Sequence, residues 1–191
     1  MISTPSQDLA QLRDILKAKS VRFGTFTLAS GQTSDVYVDC RLTTCNPKAM
    51  PLIGRLFLLK MGEKEWFPDA VGGLTMGADP IAFAIARESI EREVPIAINA
   101  FVVRKERKTH GMQKAVEGLE DSEGRKVVIL DDVCTRGEST ALAVENARSA
   151  GMRILGAICL IDREAGATEL LREKYGVELV SIFKLSDFRQ V

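Results

Sequence analysis

Apolar residues along this chain recur with two spacings, and the changes from one to the other mark out its elements. From 6 to 19, Leu9, Leu12, Ile15 and Leu16 share one helical face, and Ser6 is placed to cap the start. Lys17 and Lys19 stand where cations complement a helix dipole. Residues 21–41 change to period two. Phe26 and Leu28, then Val36 and Val38, alternate with polar residues around Ser30-Gly31-Gln32, which predicts a β-hairpin. Helical spacing returns over 46–61 through Ile53, Leu56 and Phe57, with Pro47 in the first turn and Gly62 just past the end. A short strand at 70–72 leads into a glycine-rich junction at 72–80, where glycines permit positive φ and close backbone approach. Pro80 suits the first turn of a helix running to about 93.

Four apolar runs, at 96–103, 127–133, 154–161 and 178–185, read as buried parallel strands. Helical patterns at 139–150, closed by Gly151, and at 167–175 separate the last three. The polar stretch 117–124 is a connection with at most a short β excursion. Strands alternating with helices predict an α/β fold, a parallel sheet flanked by helices on both faces. With no repeat or low-complexity segment, residues 1–191 form one domain. Residues 1–45 contribute a small amino-terminal layer, and about 65–191 the α/β core.

Polar chemistry collects where these strands end. In KVVILDDVCTRGEST, residues 126–140, an apolar run carries Asp131 and Asp132 at its end. Two carboxylates cannot both be buried and ionised without partners, and open α/β sheets bind ligands at that end. Gly137 loosens the loop, and Ser139 or Thr140 can cap the following helix. Backbone N–H groups and the positive helix end then form an anion site. An isolated Asp-Asp would equally suit a solvated turn; the whole stretch is more specific. Residues 104–114 place five basic side chains and the only histidine between two strands. Such a run is ordinarily a solvated loop.

Composition narrows the classes. Lys+Arg and Asp+Glu both total 26 in 191 residues, so a general basic footprint for nucleic acid is absent and any polyanion site is local. No apolar run approaches a membrane span. The amino-terminal residues fit neither a signal nor a transit peptide, and the expected setting is cytoplasmic. Cys40, Cys45, Cys134 and Cys159 lack metal-ligand spacing, so reduced thiols are expected. Neither Walker A nor G-x-G-x-x-G occurs.

Residues 126–140 resemble the signature with which type I phosphoribosyltransferases hold phosphoribosyl pyrophosphate (PRPP). Phe23-Gly24, Phe26, Leu28, Ser30-Gly31, Ser34, Tyr37, Asp39 and Arg41 resemble the amino-terminal motif of orotate phosphoribosyltransferases. Arg104, Lys105, Lys108, His110 and Gly111 resemble their R-K-x-x-K-x-H-G loop. The resemblance spans nearly the whole chain. It implies a Rossmann-like type I phosphoribosyltransferase fold with a hairpin hood over the nucleobase, and transfer of the 5-phosphoribosyl group from PRPP to orotate. It further implies that Asp131 and Asp132 bind the ribose hydroxyls, and that Val133, Cys134, Thr135, Arg136, Gly137, Glu138 and Ser139 wrap the 5′-phosphate. Backbone near Thr75 to Ala78 would meet the pyrophosphate. Arg104, Lys105, Lys108 and His110 would close over it, the last three acting with Asp131 and Asp132 in catalysis. Thr135 and Arg163 would hold orotate. Mg²⁺ would come mainly through PRPP, with no assigned protein ligand. A homodimer is implied, with the 104–114 loop reaching the neighbouring subunit's site. Lysines that some relatives carry are Ala29 and Met76 here. Two alternatives stay open: transfer to another nucleobase, and a non-catalytic PRPP-sensing regulator.

Overall fold

The computed structural model describes residues 4–27, 31, 33–91, 97–105 and 115–189. The chain opens with helix α1 (Pro5–Lys19) and an antiparallel hairpin, β1 (Val21–Thr27) and β2 (Thr33–Val38). Thr4, not Ser6, caps α1. Its Oγ1 accepts from the Gln7 N–H while the Gln7 side chain accepts from the Thr4 N–H, a reciprocal capping box. Leu12 and Leu16 are buried as expected, but Leu9 is 40% exposed. Asp8 takes an inward place instead, because Arg55 donates to both its carboxylate oxygens at 2.6 and 2.9 Å.

A four-residue helix, α2 (Arg41–Thr44), precedes α3 (Met50–Glu63). The helix start expected at 46 therefore moves. Pro51 rather than Pro47 occupies the first turn, Gly62 stays inside the helix, and Glu65 supplies the left-handed residue at φ 55°. Next come β3 (Ala70–Leu74), α4 (Asp79–Ile90) and β4 (Asn99–Val103). The short β5 (Val116–Glu117) is followed by β6 (Lys126–Cys134), α5 (Glu138–Ser149) and β7 (Arg153–Asp162). The last elements are α6 (Ala167–Tyr175), β8 (Leu179–Lys184) and a 3₁₀ turn (Leu185–Phe188). The helix expected to reach about 93 ends at Ile90, and 92–96 lie outside the described residues.

The main sheet runs β5-β4-β3-β6-β7-β8, parallel except for β5. Alternation along β6 makes it two-sided. Val128 and Leu130 pack with α1, α3 and α4, while Val127 and Ile129 pack with α5 and α6. The helix after β3 thus covers one face and the helix after β6 the other. Strand order reverses between these neighbours, which opens a crevice at their C-terminal ends. The hairpin forms a separate sheet, anchored by Val21, Val36 and Cys40 in the apolar cluster shared with α1, α3 and α4, and by the Asp39 N–H on Ser20 O at 2.9 Å. No helix among the described residues is long and apolar enough to cross a membrane.

The glycines in and just after β3 serve close approach. None of Gly72, Gly73 and Gly77 has a positive φ, contrary to one use expected of them. A Cβ on Gly73 would lie 2.0 Å from Leu130 O and 2.9 Å from the Ala78 Cβ, so only a bare backbone fits between β6 and the start of α4 here. Gly73→Ala is expected to cost about 2 kcal/mol or more of unfolding free energy in urea titration; wild-type stability would show that the crevice tolerates widening.

Candidate active site

The crevice between β3 and β6 holds the acid pair. Asp131 is only 7% exposed. Its Oδ2 accepts from Thr140 Oγ1 at 2.7 Å and its Oδ1 from the Asp132 N–H at 3.0 Å. Asp132 Oδ1 accepts from the Val133 N–H at 2.9 Å. Cys134 Sγ lies 3.1 Å from Thr140 Oγ1, which closes the buried side of this network. Burial raises both carboxyls above the ordinary range, Asp131 to about 7, with the Thr140 hydrogen bond opposing the rise at Asp131. Gly77 faces the pair from the β3 side. A Cβ there would sit 2.5 Å from Asp132 Oδ1, so the glycine lets the 75–78 backbone reach the acids.

That backbone is itself braced. The Thr75 N–H donates to Val103 O at 2.8 Å and Thr75 Oγ1 to Asp79 Oδ2 at 2.7 Å. The Thr75–Met76 peptide is cis.

Beyond the acids, residues 133–139 and Asp131 line a cavity of about 180 Å³. Gly137, at φ 81°, begins α5 with no side chain capping it. Neither Ser139 nor Thr140 caps the helix, as the sequence had suggested; Thr140 turns inward to Asp131. An uncapped helix start beside a cavity offers backbone donors and a positive dipole end to an anion.

The ends of the flanking strands complete the surroundings. Cys134 pairs with Asp162, and the Arg163 N–H donates to Cys134 O at 2.8 Å, so Thr135 and Arg163 stand side by side. Arg163 Nη2 meets Ser34 Oγ at 3.5 Å, which lays the hairpin over the end of β7. On the other side, β4 and β5 form an antiparallel stem, Val102 opposite Glu117 and Val103 opposite Val116. At its foot the Arg104 N–H donates to Ala115 O, and Arg104 Nε donates to Glu117 Oε1 at 3.1 Å; Lys105 is exposed. Lys108, His110 and Gly111 lie outside the described residues.

The structure therefore gathers Asp131, Asp132, residues 133–139 and Arg163, with Arg104 and Lys105 two strands away on the same sheet edge. Sequence reasoning missed the inward role of Thr140 and the contact of Gly77 with Asp132. A hydroxyl nine residues after a carboxylate carries no signature of its own.

Comparison with known proteins gives the class to which this fold and its crevice belong. The family model described as the phosphoribosyl transferase domain matches residues 44–188, and the chain belongs to that family. Within it, the chain falls among the orotate phosphoribosyltransferases. That of Corynebacterium glutamicum (strain R) is 43% identical over 178 residues, covering 93% of this chain and 92% of the relative. The solved orotate phosphoribosyltransferase of Mycobacterium tuberculosis H37Rv superposes with a TM-score of 0.82 at 39% identity, over 96% of this chain and 99% of that one. A structure of that enzyme in complex with PRPP matches at a TM-score of 0.75 and 30% identity, over 98% of this chain and 94% of that one.

The raised acid makes a pH-dependent stability expectation. A carboxyl whose folded pKa is near 7 holds its proton more tightly than in the unfolded chain. Its contribution is full below the ordinary carboxylate range and is lost as pH rises through about 7. Asp131→Asn should therefore melt higher than wild type at about pH 8, and the gap should narrow steadily as pH falls, closing only below the ordinary carboxylate range. A gap independent of pH, measured by calorimetry, would remove Asp131 as the buried titrating group.

Proposed function

We propose that this chain transfers the 5-phosphoribosyl group of PRPP to orotate, releasing diphosphate and giving orotidine 5′-monophosphate for pyrimidine (UMP) biosynthesis. The observation that carries this is the convergence at one crevice of a buried acid pair, an uncapped helix start and Arg163 beneath the hairpin. Carboxylates accept from the ribose hydroxyls, which suits Asp131 and Asp132, and backbone donors of 133–139 suit the 5′-phosphate. Backbone of 75–78 faces Asp132 and suits the diphosphate. Arg163, with Thr135 beside it, can fork onto the orotate carboxylate, a group a purine lacks.

Substitution at ribose C1 builds positive charge on the sugar and negative charge on the departing diphosphate. Asp131 and Asp132 soften the first; Lys105, Lys108 and His110 stabilise the second as the 104–114 loop closes and excludes water. Arg104 joins them once released from Glu117. The donor set fits Mg²⁺ carried mainly by PRPP. Carboxylate oxygens are the hard donors this ion prefers, and Asp131 and Asp132 would meet it only alongside the oxygens of PRPP. When bound, the ion neutralises charge on the diphosphate.

Met76, Phe83 and Ile90 are exposed on and beside α4. This apolar stripe suits a second copy of the chain, in a homodimer whose 104–114 loops serve the neighbouring site. Four free cysteines, three of them buried, suit a reducing cytoplasm.

Loss of orotate absorbance with PRPP and Mg²⁺, against no reaction with adenine or hypoxanthine, tests the assignment; product from a purine instead would overturn it. Lys105→Ala should lower kcat by about tenfold or more with the fold intact. A near-wild-type kcat would take Lys105 out of the closing loop's chemistry.

A further inference from the structure

Two residues of the amino-terminal motif, Asp39 and Arg41, are still without a role. Their place follows from the path of β2 across the C-terminal edge of the main sheet. Near its start, Ser34 Oγ meets Arg163 at the end of β7. Just beyond its far end, α2 begins with Arg41 and packs on α4, the helix that follows β3. The strand between β7 and β3 is β6. Asp39 and Arg41 therefore come down over the end of β6, where Asp132 stands. Cys40 between them is fully buried in the apolar cluster and fixes the backbone there.

The Arg41 side chain is held ready rather than buried. Nε and Nη2 donate to the two oxygens of Asp39 at 2.8 and 3.1 Å, and the Arg41 N–H adds a third contact to Asp39 Oδ1 at 3.2 Å. This fork holds the Asp39 carboxyl below its usual range. Two of the five guanidinium donors are thereby used, which leaves donors on Nη1 and Nη2 for a ligand. Arg41 is 53% exposed, and an exposed ion pair adds little to stability. As a brace the pair is weak; as a preorganised cation it is well made. Its charge is also felt at the acid pair, where it draws the Asp132 carboxyl down against the effect of burial. An incoming polyanion must approach two carboxylates, and a fixed cation beside them offsets that repulsion.

We propose that Arg41, presented by Asp39 over Asp132, binds the diphosphate of the phosphoribosyl donor. The proposal rests on the transferase reading for its ligand, so the probe is PRPP with Mg²⁺ and no acceptor. In calorimetric titration of the full chain, Arg41→Gln should weaken PRPP binding by about tenfold or more, because a charged donor to a phosphate is lost. KM for PRPP should rise in step, while KM for orotate and Tm hold. Arg41→Lys should recover part of the affinity through its charge, and Asp39→Asn, which frees the guanidinium without removing it, should fall between. Unchanged PRPP affinity in Arg41→Gln would overturn the proposal, as would a lower Tm with both KM values raised together, or a wild type that does not bind PRPP. A wild type that binds PRPP through Arg41 yet ignores orotate would refute the acceptor assignment alone and leave Arg41 standing.

Discussion

A carboxylate buried at the end of the central strand sets the terms for everything around it. Taking Asp131 out of water disfavours its charge, and the chain answers with a hydroxyl from α5 and a backbone N–H from its own turn. Neither is a full counter-charge. The pair Asp131–Asp132 is thus costly to ionise, and both carboxyls hold their protons above the ordinary range.

Three distant stretches reach that pair because of strand order. Since β3 and β6 are neighbours with their helices on opposite faces, the loop after β3 and the loop after β6 face each other across the crevice. Gly73 at the end of β3 and Gly77 in the loop after it allow contact distance across the crevice. The hairpin then bridges from Arg163 toward α4, with its inward face anchored by Val36 and Cys40. The β4–β5 stem holds Arg104 and Lys105 on the remaining side. Packing supplies the frame and polar contacts the aim. No single segment contains the site.

Much of the fold was legible because it rests on local periodicity. The helix at 167–175 was read to the residue, and the strand at 154–161 falls within Arg153–Asp162. The acid pair and its loop could be read for a similar reason: 131–139 are contiguous, so their chemistry is written in one place. Element ends were less secure. Ser6 and Thr4 meet the same capping rule, as do Pro47 and Pro51 at a helix start. The inward turn of Asp8 toward Arg55 and the insertion of α2 show the selection being made by distant partners.

By itself the sequence determined the α/β class, the run of strands and helices, and the residue types able to hold a sugar phosphate, since these depend on spacing along one chain. Only the tertiary structure decided which hydroxyl serves Asp131, why the glycines in and after β3 are bare, and where Arg41 sits. Thr140 could cap a helix or support a carboxylate, and Gly77 could supply a positive φ or a close approach, with equal local cost. The choice falls to groups brought together across the sheet, whose desolvation and steric fit no local pattern records.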